Sequence, residues 1–332
     1  MIRQKWTGEK VVAIGGAFQP TCVLMAGAEL GLFDALAETR MTAEALAKRL
    51  KADARAMKML ADALASMGLL TVRGGRYSLT PGVADVLTET GRRRGLAMVR
   101  HQANCLRSWA QLARVVKTGR PAEDAPSIRG AAADQAAFIE AMDDASRSLA
   151  PELVKRIGPP PFRHLLDIGG GPATWTIAFL RAAPSACATL FDLPHTMPIA
   201  RKHIAAAGLQ ERVRFVAGDL DSPRALPRGA DLAWISAIVH MYSRAENREM
   251  FRKTHAALAE GGRVLIRDIV MRESRTAPAS GAMFAINMLV NTPKGGTFTF
   301  RELSEDLRAA GFRKPSFLHR GQGMDSVIQA LK

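Results

Sequence analysis

Three aspartates stand where strand-like runs end. Asp167 closes "RHLLDI", Asp192 closes "CATLFD" and Asp219 follows "VRFVAG". A histidine, His240, follows a fourth such run, "DLAWISAIVH". Behind Asp167 comes a glycine turn, Gly169 to Gly171, and then a segment with helical spacing. Gly169 and Gly171 let the backbone turn tightly and approach a ligand, and the helix beyond offers N–H groups to it. Such a turn often holds the pyrophosphate of a dinucleotide. Asp167 argues for another ligand, because a carboxylate beside the turn repels phosphate. It favours S-adenosylmethionine, which has no phosphate and carries an ammonium and a sulfonium. Asp192, 23 residues after Gly169, is placed to accept from ribose hydroxyls. Asp219 is placed to accept from an adenine amino group, with Leu220 against the ring. Any one of these acids reads equally well as a solvated loop residue or a helix cap; together, at consecutive strand ends, they point to one ligand. His240 at the mouth of its strand offers an imidazole able to take a proton near neutral pH. A polar residue merely packed at a strand end would look the same.

The elements that must position these residues follow from the periodicity. Strands over 163–168, 187–192, 211–217, 230–237 and 262–270 alternate with helices near 174–183, 195–207 and 244–260. Alternation of this kind makes a parallel sheet covered on both faces. At the end of the chain "RELSEDLRAAGF" reads as a helix, and "PSFLHR" and "DSVIQALK" as a hairpin that places one antiparallel strand in the sheet. "GPPPF" at 158–162 cannot continue a helix, so the expected domains are 1–157 and 158–332. The first opens with three helical segments, "TCVLMAGAELGLFDAL", "MTAEALAKRL" with Thr42 as its cap, and "RAMKMLADALASMGLL". A hairpin signal around Gly74-Gly75 follows. Helices followed by a hairpin form the winged-helix pattern. Residues 97–157 are helical again, with breaks near Gly119 and Gly130.

A chain of 332 residues suits two domains, and 48% hydrophobic residues supply a core for each. The three cysteines, Cys22, Cys105 and Cys187, have no metal-ligand spacing and read as reduced, buried thiols; no metal is expected. "MIRQKWTGEKVVAIGGAF" begins basic and turns apolar, but the run stops at Gln19-Pro20, so no signal peptide is expected. No apolar run approaches the roughly 20 residues of a membrane span, and a cytoplasmic protein without a membrane partner is expected. The net charge of +15 is scattered apart from "GRRRG" at 91–95, a loop between helices. Phosphate binding needs basic residues gathered on one face, and the third helix carries only Arg55 and Lys58. Nucleic acid is therefore not the expected partner. A winged-helix DNA-binding regulator is the reading from outside enzymology.

"LLDIGGGPATWTIAFL", "ATLFDLPHT", "VAGDL", "DLAWISAIVHMYS" and "GGRVLIRDIVM" resemble the plant-type O-methyltransferase family, which includes acetylserotonin and caffeic acid O-methyltransferases and many bacterial relatives. "AGAELGLFDAL", "MGLL" and "RYSLTP" resemble its dimerisation and winged-helix region, so the likeness covers nearly the whole chain. The resemblance implies a Rossmann-like class I methyltransferase domain behind a helical dimerisation domain. It implies a homodimer and S-adenosylmethionine bound by Gly169, Gly171, Asp192, Asp219, Leu220 and Ser236. His240 matches the family's catalytic histidine. Met142, Asn287 and Asn291 fall on the acceptor side, with Trp109, Phe138 and Met283 as further candidates, although core packing explains Phe138, Met142 and Met283 as well. His101 and Asp143 are alternative bases.

There are departures. Ser236 stands where the family usually has Lys, Ala173 where it has a third Gly, and Met241 where Asp commonly follows the histidine. Plant members flank the histidine with two acids; here one position is Asn287, and "GGTFT" supplies no other. His240 is thus expected to lack an orienting carboxylate and to serve an acidic acceptor such as a phenol, or one that needs no base. The expected activity is transfer of a methyl group to a small molecule, most readily to a hydroxyl or phenol oxygen. The alternatives within the resemblance are C- or N-methylation, or a relative that uses the same donor for other chemistry.

Overall fold

The computed structural model describes residues 5–332. The chain forms two compact units, Met1–Leu106 with Ala125–Asp144, and Arg107–Asp124 with Ala145–Lys332. This division differs from a cut at 157/158. The helix Leu149–Ile157 lies before the proline break, yet it buries Ala150, Leu153, Val154 and Ile157 in the core of the second unit. Its apolar face, rather than the break in the chain, decides where it belongs.

The first unit opens with helices Gly8–Gly16, Phe18–Glu29, Leu32–Glu38, Ala43–Leu50 and Ala54–Ser66. The hairpin β1 (Leu70–Arg73) and β2 (Arg76–Leu79) follows, giving the expected winged-helix order. Thr42 caps its helix by accepting from the Ala45 N–H. Phe33, Leu46, Met57, Leu64, Leu70 and Tyr77 form the core. The helices Leu96–Trp109 and Ala131–Arg147 lie largely in the same unit. Arginines of "GRRRG" are spent locally: Arg94 faces Glu140, Asp143 and Asp144, and Arg92 faces Asp85. On the helix Ala54–Ser66 Lys58 pairs with Asp62 at 2.7 Å.

Two sequence expectations need correction here. Cys22 and Cys187 are exposed and Cys105 half-buried, so the thiols form no disulfide but are not buried. An apolar stretch of membrane-spanning length also exists: Gly8–Glu29 is 22 residues long with mean hydropathy 1.6 and is mostly exposed. Ala17 keeps helical dihedrals between the two helices, so the apolar run continues through Gln19-Pro20 instead of stopping.

The second unit is built on β3 (His164–Ile168), β4 (Cys187–Asp192), β5 (Val213–Ala217), β6 (Ala230–Ser236) and β7 (Leu258–Asp268). The short pair β8 (Val270–Met271) and β9 (Phe298–Thr299) stands apart, and β10 (Arg313–His319) and β11 (Ser326–Leu331) end the chain. The main sheet runs β10-β11-β7-β6-β3-β4-β5. β3 to β7 are parallel, and β11 is antiparallel to both its neighbours, as the terminal hairpin predicts. The central strands are buried on both faces, which is why they read as continuous apolar runs. One face packs Trp175, Phe179 and Trp234, and the other packs Phe251, Leu303 and Leu307. The helices Thr174–Ala182, Met197–Ala206 and Arg244–Ala257 fall close to expectation. All the parallel strands therefore deliver their last residues to one edge of the sheet, where an open α/β sheet binds its ligand.

Candidate active site

The glycine turn is pinned to the next strand. Gly169 N–H donates to the Phe191 carbonyl at 2.8 Å, and Gly171 N–H donates to Asp192 Oδ2 at 2.6 Å. A Cβ at Gly169, where φ is +71°, would come within 2.5 Å of Ile238 Cδ1, so a side chain there is strained, whereas nothing lies within 4 Å of one at Gly171. Gly171 thus borders open space at the strand ends. Ala173, in place of the third glycine, is buried with φ at +69°. A methyl in left-handed backbone is a strained arrangement held by its surroundings.

The three aspartates do different things. Asp167 does not offer its carboxylate to the open side of the turn: it is fully buried and accepts from Thr176 Oγ1, in the helix beyond the turn, at 2.5 Å. Burial pushes it up to about 7, with the nearby Asp192 charge adding to the shift. It ties strand to helix from inside the fold. Asp192 is half-buried at the end of β4 and accepts from the N–H of Gly171 and of Leu193; burial raises its pKa as well. Asp219 is exposed in the loop after β5, where Oδ1 accepts from the Asp221 N–H at 2.9 Å. Leu220 packs on the sheet core beside it.

Ser236, the last residue of β6, accepts from Nη1 of Arg267 at 3.0 Å. Arg267 is its register partner on β7 and lies with its guanidinium 4.6 Å from the Trp175 ring.

His240 sits on a short turn of 3-10 helix after β6 and is 6% exposed. The expectation that it lacks an orienting carboxylate is wrong. Its Nδ1 lies 2.9 and 3.0 Å from the two oxygens of Asp268, the last residue of β7, and the Ile269 N–H holds Oδ1 at 2.7 Å. An ionised carboxylate only accepts, so Nδ1 carries the proton and Nε2 keeps its lone pair. Phe284 meets the imidazole edge-on at 4.8 Å. Asp268 was missed because it sits in neither segment where the family carries its acids. Its trace in the sequence is "VLIRD", where two charges interrupt an apolar strand at its carboxyl end.

Asn287 does not orient the histidine. It lies one helical turn beyond Phe284, where its Oδ1 accepts from Trp109 Nε1 at 2.9 Å and from Asn291 Nδ2 at 3.0 Å. Indole N–H only donates, which fixes the amide with its NH2 facing away from Trp109. Asn291 is exposed, and Met283 is too, so core packing does not account for Met283. Met142 is half-buried on a helix of the first unit. Phe138 is exposed in that unit and tilts against His101, whose pKa is lowered by burial. Asp143 takes a bond from Arg94.

With this geometry in place, two family models match the chain: an O-methyltransferase domain over residues 109–313 and an O-methyltransferase dimerisation domain over 14–90. The chain is 30% identical over 303 residues to a 3-hydroxy-5-methyl-1-naphthoate 3-O-methyltransferase of Streptomyces sahachiroi, covering 88% of this chain and 85% of that one. It is 27% identical over 308 residues to an L-tyrosine C(3)-methyltransferase of Streptomyces lavendulae, covering 89% and 84%. Human N-acetylserotonin methyltransferase, solved in complex with SAM, superposes with a TM-score of 0.80 at 25% identity, covering 100% and 99% of the two chains.

Proposed function

The chain belongs to the O-methyltransferase family and is an S-adenosylmethionine-dependent methyltransferase; on that premise we propose that it methylates a hydroxyl oxygen of a small aromatic molecule, with His240 as the base. The observation that carries this reading is the bond between His240 Nδ1 and Asp268, which leaves Nε2 as the acceptor. Asp268 also favours the imidazolium that forms once Nε2 has taken the proton. Abstraction of a hydroxyl proton therefore does not demand an unusually acidic acceptor. When bound, S-adenosylmethionine supplies an electrophilic methyl carbon on a good leaving group, so alignment and exclusion of water are the main remaining tasks.

The residues present fit that donor. Asp192 and Asp219 supply carboxylate oxygens for ribose hydroxyls and an adenine amino group, Leu220 an apolar surface for the ring, and Gly169 and Gly171 a turn without side chains. The acceptor side uses Asn287, whose NH2 donates to an oxygen of the substrate, and Asn291. An aromatic acceptor suits the edge of Phe284 beside His240.

The dimerisation-domain match supports a homodimer, assembled here through the N-terminal helices. The helix Gly8–Gly16 has no buried residue and leaves Val11, Val12 and Ile14 exposed. The activity is tested by incubating the protein and donor with hydroxynaphthoates, phenols and amino-phenols. Release of S-adenosylhomocysteine with a methyl ether as product supports the reading. A C- or N-methyl product, or donor consumption without methyl transfer, overturns it.

A further inference from the structure

Arg267 is a cation with too few partners. It is 5% exposed at the penultimate position of β7. Nη1 donates to Ser236, the Trp175 ring lies against the guanidinium, and the buried Nε has no hydrogen-bond partner. Among the described residues no carboxylate is within ion-pair distance of it; Asp268 and Asp325 act only through space. Burial lowers its pKa to about 10, so it remains charged at neutral pH. A guanidinium taken out of water is costly unless an anion faces it, and none of the described residues supplies that anion.

Its position says which anion fits. Arg267 and Ser236 are register partners at the carboxyl ends of β7 and β6. Trp175 is the second residue of the helix that leaves the glycine turn. The guanidinium is therefore held beside the turn at the ligand-binding edge of the sheet. The polar groups already assigned there are acids: Asp192, Asp219 and the Asp268 that holds His240. They suit the ammonium, the sulfonium and the hydroxyls of the donor but repel its α-carboxylate. Lys253, beside the Asp219 loop, is occupied by the carbonyls of Leu220 and Ser222 at 2.8 and 2.7 Å. Arginine offers a planar fork that matches a carboxylate with two parallel bonds, and Trp175 keeps that fork flat.

We propose that Arg267, braced by Ser236 and Trp175, binds the α-carboxylate of the methyl donor. This rests on the donor reading given above. The test is calorimetry with S-adenosylmethionine and decarboxylated S-adenosylmethionine, which differ by that one group. The intact protein prefers the carboxylated form by roughly 10- to 100-fold, the range of a hydrogen-bonded charge pair. Arg267→Met abolishes the preference to within about threefold while binding of the decarboxylated form holds, and Arg267→Lys restores part of it. Equal binding of the two ligands by the unaltered protein overturns the assignment, as does an Arg267→Met protein that weakens both alike. Should Arg267→Met fail to fold, the unaltered protein and Arg267→Lys decide on the same comparison. A protein that binds neither S-adenosylmethionine nor S-adenosylhomocysteine refutes the donor reading itself; one that binds the donor without discriminating refutes only the role of Arg267.

Discussion

His240 and Asp268 form a buried pair in which one ring nitrogen faces both carboxylate oxygens, at 2.9 and 3.0 Å, from adjacent strand ends of the sheet. The pair fixes a tautomer, and that tautomer is what a base needs. Asp268→Asn keeps the shape but can present an NH2 to Nδ1, which drives the proton onto Nε2. We expect kcat to fall by a factor on the order of 10² to 10⁴, with donor affinity unchanged. Steady-state assay of S-adenosylhomocysteine release checks this; a loss below tenfold would show that proton removal is not the task of this pair.

The amide of Asn287 is held from behind by Trp109 and Asn291, so its NH2 is the part it can offer. Asn287→Ala removes that donor and strands the Trp109 N–H. The expected result is a KM for the acceptor raised roughly tenfold, about 1.4 kcal/mol, with the affinity for S-adenosylhomocysteine unmoved. Calorimetry with the product alongside initial rates separates the two effects. A shift confined to donor affinity would move Asn287 to the other side of the site.

What the sequence discloses about this molecule depends on whether a residue acts through its neighbours in the chain or through neighbours in the sheet. The Gly169 turn, the strand ending in Asp192 and the terminal hairpin were all legible, because each is a local pattern of apolar period and turn residues. Asp167 was misread for the same reason. Its place beside the turn is a fact of the sequence, but the Thr176 hydroxyl that turns it inward lies one helix away. Asp268 and Arg267 were not found at all. They act across the register of β6 and β7, Arg267 on Ser236 and Asp268 on His240 beyond it, and no motif spacing encodes a lateral pairing. The prolines at 158–162 mark a break in the chain, whereas the packing of Leu153 and Ile157 decides which unit owns the helix before them.

Burial of Asp167 has a sign that can be measured. Its carboxyl is held at about 7 in the folded protein, against 3.8 for an unperturbed aspartate. The folded state therefore grips the proton more tightly than the unfolded chain does. Stability is lost progressively as pH rises from about 4 to about 7, and the loss is constant above that. Asp167→Asn keeps an acceptor for Thr176 and removes the charge. It should melt higher than the parent at pH 8, by an amount worth about 1 to 4 kcal/mol, and the gap should narrow steadily toward pH 4. A gap independent of pH would mean that Asp167 is not the group being discharged.

The glycine turn depends on Asp192 in a second way besides any bond to a ligand. Its Oδ2 accepts from the Gly171 N–H at 2.6 Å, and its backbone carbonyl accepts from Gly218 at 2.9 Å, so one residue braces the ends of β3 and β5. Asp192→Ala should lower the melting temperature by several degrees through the unpaired amide. It should also weaken S-adenosylhomocysteine roughly 10- to 100-fold through the lost ribose contacts. Asp192→Asn can still accept from Gly171 and should recover most of the melting temperature but little of the affinity. Equal recovery of both would show that the residue serves only to shape the turn.

The helix Gly8–Gly16 carries no buried residue, with Val12 74% and Ile14 64% exposed, and it runs through Ala17 into a second helix whose first turn exposes Phe18. An apolar surface of this extent on one element is costly in water and is characteristic of a covered interface. The dimerisation-domain match begins at residue 14, within this stretch. A second copy of the chain is the cover that follows from both facts. Sedimentation of the full chain should give twice its 35.8 kDa mass, and Val12→Asp combined with Ile14→Asp should shift it to the single-chain mass at micromolar concentration. The hairpin and the core of the first unit do not involve either residue, so circular dichroism should be unchanged. A double variant that still sediments as a dimer places the interface elsewhere. A parent chain that sediments singly and is retained by lipid vesicles would assign the same apolar face to a membrane surface instead.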